Sequence, residues 1–302
     1  MEAATKKRSL APVEITLIVL AVLAAISLCV MLVIAIPYMQ QPAEVDEDPL
    51  SLHNRDPEGS IPVPTETVPT GPTLPPPEAN PYGRNDFQYN ENNYLTCLEG
   101  KSVVGIDVSY HQGDIDWEQV RASGVEFVMM RVGYRGYGES GKLVEDTNFK
   151  TNIRGALDAG LKVGVYFFSQ ALNLEEVEEE VDFLMERIEG YEIAMPVVYD
   201  WEYVSDEART ANMDARTLTD CSKHFCDLIL EAGYQPMIYF NRNQAAYLLH
   251  LEELTDYPFW LAAYTDRMGF PYKVDMWQYT DSGRVPGIDG PVDVDILFVY
   301  ED

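Results

Sequence analysis

The sequence is poor in histidine, cysteine and basic residues. Its 302 residues include 4 His and 4 Cys, and 21 Lys and Arg stand against 50 Asp and Glu, giving a formal net charge of −29. A chain this negative is repelled by phosphate backbones, so nucleic acid is a poor candidate partner. The cysteines form no CxxC pair, so neither a zinc site nor a disulfide framework is indicated, and no metal site is predicted. Cys221 and Cys226 are expected to be small core residues of a helix.

One long apolar run stands close to the N-terminus. Residues 15–36 contain no charged side chain, and 22 helical residues are enough to cross a hydrocarbon core roughly 30 Å thick. A cleaved signal peptide is the alternative, but its apolar region is normally shorter, about 7–15 residues. Lys6, Lys7 and Arg8 precede the run, and acidic residues follow it. We therefore predict a single-pass signal anchor in the cell membrane, with residues 1–14 in the cytoplasm and the rest of the chain outside.

A proline-rich segment follows the predicted span. Between residues 41 and 81 there are 11 prolines among Ser, Thr, Glu and Gly. This composition cannot bury enough apolar surface to offset the conformational entropy of the chain. We predict an extended extracellular linker over residues 37–101.

From residue 102 onward, short apolar runs rich in β-branched and aromatic residues alternate with amphipathic stretches. Helical patterns follow each of the first five runs, and the later gaps are too short for a helix. Strands of this kind alternating with helices are typical of a barrel covered by helices. We predict an α/β fold over 102–302, a modified TIM-like barrel of five β/α units followed by three strands, and expect it to be monomeric. The predicted strands are 103–108, 127–133, 162–168, 195–201, 236–240, 259–264, 275–279 and 292–298.

Carboxyl groups stand at the ends of several of these strands. Asp107 ends the first strand, Asp200 and Glu202 end the fourth, and Asp293 lies at the start of the eighth. Asp200 and Glu202 are two residues apart, so both should point to one face and one of them should have a raised pKa. A raised carboxyl pKa suits the general acid of a glycosidase. A structural carboxyl pair bonded to the backbone or to Arg131 remains an alternative.

The same acids are open to a second interpretation as ligands of a hard cation, although the histidines show no ligand spacing. His111, on the loop after the first strand, could equally face a substrate or solvent. Polar and aromatic side chains recur near strand ends, where rings suit sugar stacking but also suit core packing. The candidate substrate-binding residues are Tyr110, Tyr166, Tyr264, Trp277 and Gln278.

Six segments of the sequence together resemble a known family. They are GIDVSYHQGDIDW, FVMMRVGYRG, GVYFFS, VVYDWE, FWLAAY and WQYTDSGRVPGIDGPVDVD, in this order over about 102–299. The series is similar to glycoside hydrolase family 25, the Chalaropsis-type lysozymes. The resemblance implies a five-plus-three barrel that cleaves peptidoglycan between N-acetylmuramic acid and N-acetylglucosamine without a cofactor.

By position, the resemblance implies that Glu202 is the general acid and Asp200 its partner carboxylate. It places Asp107 and Asp293 among the acidic groups lining the same cleft. Asp295 departs from the family pattern, because members often have Asn there. The sequence thus predicts a membrane-anchored muramidase acting on peptidoglycan strands. The alternatives are a catalytically silent barrel that binds wall glycan and a glycosidase of another acetamido sugar.

Overall fold

Eleven strands and five α-helices are formed by the residues that the computed structural model describes, which are 74–83, 85–98 and 101–300. The strands are β1 (Phe87–Tyr89), β2 (Leu95–Cys97), β3 (Lys101–Val108), β4 (Phe127–Arg135), β5 (Leu143–Glu145), β6 (Lys162–Ser169), β7 (Val197–Trp201), β8 (Pro236–Asn241), β9 (Phe259–Ala262), β10 (Met276–Gly283) and β11 (Val292–Val299). The helices are α1 (Trp117–Ala122), α2 (Phe149–Asp158), α3 (Leu174–Ile188), α4 (Ala215–Glu231) and α5 (Arg242–Tyr247).

Eight of the strands close into a barrel. Their order is β3-β11-β10-β9-β8-β7-β6-β4, and β4 also pairs with β3, which completes the circle. The pairings from β3 through β4, β6, β7, β8 and β9 to β10 are parallel. This confirms the predicted eight-stranded α/β barrel, with α1 to α5 in the gaps where helices were predicted.

The last barrel strand runs in the opposite direction to the others. β11 pairs antiparallel with β10 and with β3, and its register places Asp293 opposite Asp107. The N-terminal end of β11 therefore lies beside the C-terminal ends of the parallel strands. This is why carboxyl groups at the start of the last strand reach the same end of the barrel as those that follow the first and fourth strands.

Helix ends follow local sequence signals. The side chain of Asn173 accepts a hydrogen bond from the Glu176 amide at the start of α3, and that of Asp214 accepts one from the Thr217 amide at the start of α4. Such caps satisfy amides that have no partner within the helix. The apolar faces of these helices pack on the outer face of the barrel. Cys221 and Cys226 on α4 are buried and unpaired, as predicted.

A second set of side chains fills the inside of the barrel. It includes Phe127, Met129, Val198, Met237 and Met276. Side chains two residues apart on a strand point to the same face, so the acidic residues near the strand ends also point into the barrel. The packed apolar interior thus forms the floor beneath a polar upper layer.

The folded region begins earlier than the predicted boundary at residue 102. β1 and β2 form an antiparallel hairpin inside the segment predicted as linker. Leu95 of this hairpin is buried, its amide donates to the Tyr279 hydroxyl (3.2 Å), and Phe87 packs edge-on against Trp277. The hairpin supplies apolar side chains to an outer barrel face that carries no helix after the sixth strand.

The predicted membrane span, residues 15–36, lies outside the described residues, as does the linker up to residue 73. Within the part of the chain that the structure describes, no helix is long and apolar enough to cross a bilayer.

Candidate active site

A polar cavity opens at the end of the barrel where the parallel strands finish. Asp107 and Asp293 enter it from β3 and β11, Asp200 from β7, and Glu202 from just beyond β7. Among the described residues, His111 is the only basic one in its lining. The complete lining consists of Asp107, Ser109, His111, Gln112, Tyr166, Asp200, Glu202, Tyr239, Trp260, Tyr264, Gln278 and Asp293.

Asp200 and Glu202 are both almost fully buried, with 5% and 7% of their surfaces exposed. Burial, together with the charges of Glu202 and Asp107, raises the pKa of Asp200 well above its ordinary value. Asp200 Oδ1 receives no hydrogen bond from any described donor. The expectation that one member of the pair has a raised pKa therefore applies to Asp200.

The backbone beyond β7 is held by two buried amide side chains. Gln244 donates to the carbonyl of Trp201, and Gln170 Nε2 donates to the carbonyl of Glu202 (2.8 Å). Gln170 also accepts a hydrogen bond from the Thr210 hydroxyl. These contacts fix the direction in which the Glu202 side chain leaves the strand.

Gln278 connects the acidic and the aromatic sides of the cavity. Its Nε2 donates to Asp107 Oδ2 (2.8 Å), and its Oε1 accepts from the hydroxyls of Tyr239 (3.0 Å) and Tyr264 (3.1 Å). Burial and the nearby carboxylates raise the pKa of both tyrosines, so both hydroxyls stay protonated as donors. Gln278 thus fixes the orientation of Asp107 and of two phenol groups.

The turn after β3 brings three further groups to the cavity. The Ser109 side chain accepts from the His111 amide (3.3 Å), and the Ser109 amide donates to Gln112 Oε1 (2.9 Å). The Tyr110 amide donates to Asp146 Oδ2 (3.0 Å), which ties the turn to a buried ion pair. A capped and anchored turn presents His111 and Gln112 in a defined orientation.

Two of the predicted substrate-binding residues lie outside the cavity lining. Trp277 neighbours the inward-facing Gln278 and so points outward, where its Nε1 donates to the Ala263 carbonyl (2.9 Å). The Tyr110 ring lies against His111 (4.1 Å between centroids) and faces the Arg131 guanidinium (5.4 Å). Trp277 is a core residue, and Tyr110 belongs to the wall behind His111. The predicted Asp107, Asp200, Glu202, Asp293, Tyr166, Tyr264 and Gln278 all line the cavity.

Sequence reasoning missed Ser109, Gln112, Tyr239 and Trp260, and it left His111 open. Tyr239 lies two residues beyond the inward-facing Met237 on β8, and Trp260 lies two residues before the inward-facing Ala262 on β9, so both point into the barrel. Alternation along these two strands was the signal that could have identified both. Across residues 74–83, 85–98 and 101–300, no group of three or more His, Cys, Asp or Glu side chains is arranged to hold a metal ion.

Comparison with known proteins places this barrel in a family. The family described as Glycosyl hydrolases family 25 matches residues 106–288, more than half of the chain. The chain belongs to glycosyl hydrolase family 25. The segment that carries Asp107, Asp200 and Glu202 is therefore a glycoside hydrolase domain.

Named relatives share part of their length with this chain. The autolytic lysozyme of Clostridium acetobutylicum is 27% identical over 194 residues, covering 64% of this chain and 55% of the relative. The modular autolysin LytC of Streptococcus pneumoniae, solved with a synthetic peptidoglycan ligand, is 29% identical with a TM-score of 0.59, covering 70% of this chain and 51% of LytC. The chain thus spans about half the length of these two relatives. A family 25 glycosyl hydrolase from Bacillus anthracis shares the fold at 19% identity, with a TM-score of 0.58 and coverage of 68% of this chain and 93% of that protein.

Proposed function

We propose that this protein hydrolyses the glycan strands of peptidoglycan at the β-1,4 bond from N-acetylmuramic acid to N-acetylglucosamine. The observation that carries the proposal is the meeting of Asp107, Asp200, Glu202 and Asp293 in one cavity of a family 25 barrel. The names of the autolytic lysozyme and of the peptidoglycan-bound autolysin support the substrate class.

Glu202 is the proposed general acid. It lies just beyond the end of β7 at the cavity, with its backbone carbonyl held by Gln170. In this role it gives its proton to the glycosidic oxygen as the bond from C1 to that oxygen breaks. As a carboxylate it then takes a proton from the water that completes hydrolysis.

Asp200 is the proposed partner of the substrate's own acetamido group. A two-residue spacing at the end of β7 leaves too little room for the water that an inverting pair accommodates across roughly 6.5–9.5 Å. The acetamido oxygen instead attacks C1 from the face opposite the leaving oxygen, while Asp200 accepts a hydrogen bond from the acetamido N–H. A direct attack by Asp200 on C1 is the competing mechanism.

The raised pKa of Asp200 indicates that this carboxyl group is protonated before substrate binds. Before substrate binds, burial and the neighbouring carboxylates favour the neutral form of Asp200. A substrate N–H placed against Oδ1, which has no described donor, favours the carboxylate form. Substrate binding therefore draws Asp200 into the carboxylate form, which is the form that accepts the acetamido N–H.

Asp107, Asp293 and the polar ring of the cavity are proposed to hold the sugar. Carboxylates accept hydrogen bonds from sugar hydroxyls, and the phenol of Tyr166 donates to a sugar oxygen. The phenol of Tyr264, whose hydrogen is donated to Gln278, accepts from a sugar hydroxyl. Gln278 keeps Asp107 and Tyr264 in place for these contacts.

The identity of the newly formed reducing sugar tests the proposed function. The full chain, purified in mild detergent, is incubated with purified peptidoglycan, and the products are reduced with borohydride and hydrolysed. Reduced N-acetylmuramic acid among the sugars supports the proposal. Reduced N-acetylglucosamine alone would indicate another glycosidase specificity, and glycan binding without new reducing ends would indicate the silent barrel.

Mass spectrometry distinguishes the two mechanisms. In a reaction with an activated, slowly turned-over substrate, quenched during turnover, we expect no sugar attached to the protein. A covalent adduct on Asp200 would replace the assisted mechanism with direct nucleophilic attack.

We also propose that residues 15–36 anchor the enzyme in the cell membrane, with the barrel outside. The uncharged apolar run and the basic residues Lys6, Lys7 and Arg8 before it support this topology. Cell fractionation with intact-mass analysis should recover a membrane-bound chain that keeps its N-terminal segment. Recovery of most of the protein from the medium, starting after Ile36, would contradict it.

A further inference from the structure

Asp295 is a carboxyl group inside the barrel that the proposed reaction does not use. It lies two residues beyond Asp293 on β11, so it points inward beneath that residue, opposite Gly105 of β3 and Gln278 of β10. It is fully buried, and it is not among the residues that line the cavity. A carboxylate in such a place is costly unless it is paired with a positive charge.

The contacts of Asp295 are those of a neutral acid. Its Oδ1 accepts a hydrogen bond from Trp260 Nε1 (2.9 Å), whereas its Oδ2 accepts none from any described donor. Asp107 and Asp295 point inward from diagonal positions on the paired strands β3 and β11, so their carboxyl groups lie close enough to share a hydrogen bond. Two ionised carboxylates cannot share a hydrogen bond, because neither has a hydrogen to donate. One of the two groups must carry a proton.

Their surroundings assign the proton to Asp295. Asp107 reaches the cavity, and its Oδ2 accepts a hydrogen bond from Gln278 Nε2 (2.8 Å), which stabilises an ionised carboxylate. Asp295 lies deeper, and one of its oxygens lacks a donor. Burial and the charges of Asp107 and Asp293 raise the pKa of Asp295 well above its ordinary value, in agreement with this assignment.

We propose that Asp295 is a positioning residue whose protonated Oδ2 donates a hydrogen bond to Asp107 and holds that carboxylate towards the substrate. The catalytic consequence rests on the proposed function, whereas the location of the proton does not. Gln278 and Asp295 then clamp Asp107 from two neighbouring strands, β10 and β11. An amide at position 295 could make the same two contacts, since it offers one acceptor to Trp260 and one donor to Asp107.

The effect of pH on this contact has a definite direction. As pH rises, loss of the Asp295 proton removes the donor and places a second negative charge against Asp107. Titratable and charged groups face this pair from every neighbouring barrel strand and from the segment after β9, and apart from Arg131 they are acids or phenols. They are Asp107, Arg131, Tyr166, Asp200, Glu202, Tyr239, Tyr264, Tyr279 and Asp293. No fixed positive charge next to Asp295 offsets its ionisation among the described residues.

Two substitutions test the positioning role in the full chain. Asp295→Asn keeps the donor, and we expect kcat on peptidoglycan within about threefold of the unmodified chain. Asp295→Leu keeps a similar size without any donor, and we expect kcat to fall at least about tenfold, the scale of a hydrogen bond to a charged group, with a smaller change in KM. Equal losses of kcat in both variants, with unchanged circular dichroism, would overturn the proposal.

Infrared spectroscopy locates the proton without reference to activity and remains informative if Asp295→Leu fails to fold. Because Asp200 also has a raised pKa, the comparison uses Asp200→Asn as background. Near neutral pH and without substrate, subtracting the spectrum of Asp200→Asn/Asp295→Asn from that of Asp200→Asn should leave a protonated-carboxyl C=O band. Glu180, whose pKa burial raises to about 7, contributes equally to both spectra and cancels. Identical spectra would overturn the assignment. If the band is present but the unmodified chain cleaves no glycan, the proton assignment is supported and the proposed function fails.

Discussion

The buried pair of Arg131 and Asp146 supports the turn that borders the active site. The guanidinium is fully buried, and its Nη2 and Nε each lie 2.9 Å from Asp146 Oδ2. The same oxygen accepts the Tyr110 amide, and Asp146 Oδ1 accepts the Asn148 amide (3.0 Å). Asp146→Asn keeps the shape of the side chain but removes the charge that compensates the guanidinium.

Removing one charge of a buried ion pair costs about 3–5 kcal/mol. In a domain of this size, each kcal/mol lowers the melting temperature by about 2–4 °C, so we expect a decrease of about 6–20 °C. Thermal unfolding followed by tryptophan fluorescence measures it. Replacing Arg131 with Met in the same chain should restore most of the lost stability, because the buried charge that paired with Asp146 is then removed as well.

A matched control makes the same carboxylate-to-amide change on the surface. Glu253 lies 2.8 Å from Arg216, but both side chains are exposed. Exposed pairs contribute about 0–1 kcal/mol, so Glu253→Gln should shift the melting temperature by only a few degrees. An Asp146→Asn variant as stable as the Glu253→Gln variant would refute the reasoning, because burial would then add nothing to the cost.

Two further predictions concern stability. Because the pKa of Asp200 is raised in the folded state, its contribution to stability is fully present below its unfolded pKa of about 3.9 and is lost as pH rises through the raised value. Asp200→Asn should therefore melt at a higher temperature than the unmodified chain at neutral pH. This difference in melting temperature should shrink towards pH 4. A constant difference across this pH range would contradict the raised pKa of Asp200. A Cβ on Gly105 would lie 2.1 Å from the Phe127 ring, so Gly105→Ala should cost about 1–3 kcal/mol in urea unfolding. Gly83→Ala, which meets only ordinary contacts, is the control, and equal midpoints for the two variants would contradict the packing argument.

Much of the barrel could be predicted because each element carries its own local signal. Apolar runs predicted the eight barrel strands, and the helical patterns after the first five runs predicted the helices. The direction of a strand has no such local signal, because an alternating apolar pattern does not distinguish parallel from antiparallel pairing. The antiparallel course of β11 follows instead from its pairing with β3 and β10. The hairpin of β1 and β2 was missed because the prolines before it dominate the local composition.

The site was predictable where polar residues interrupt apolar strands, as at Asp107, Asp200 and Glu202. It was not predictable where an aromatic side chain suits both core and cavity. Trp277 and Gln278 were both predicted to bind substrate, yet neighbours on a strand point to opposite faces. Tyr239 and Trp260 were missed because their runs resemble ordinary buried strands. The proposed contact between Asp107 and Asp295 joins two strands that are far apart in sequence, so local sequence does not predict it.

The rate at which Glu202→Gln releases reducing ends from peptidoglycan tests the central claim most directly. The substitution keeps the size of the side chain and removes only its transferable proton, so circular dichroism and melting temperature should stay close to those of the unmodified chain. We expect turnover to fall at least about 100-fold, the lower range of general acid catalysis. A folded Glu202→Gln variant that cleaves peptidoglycan at the unmodified rate would show that this carboxyl group is not the acid.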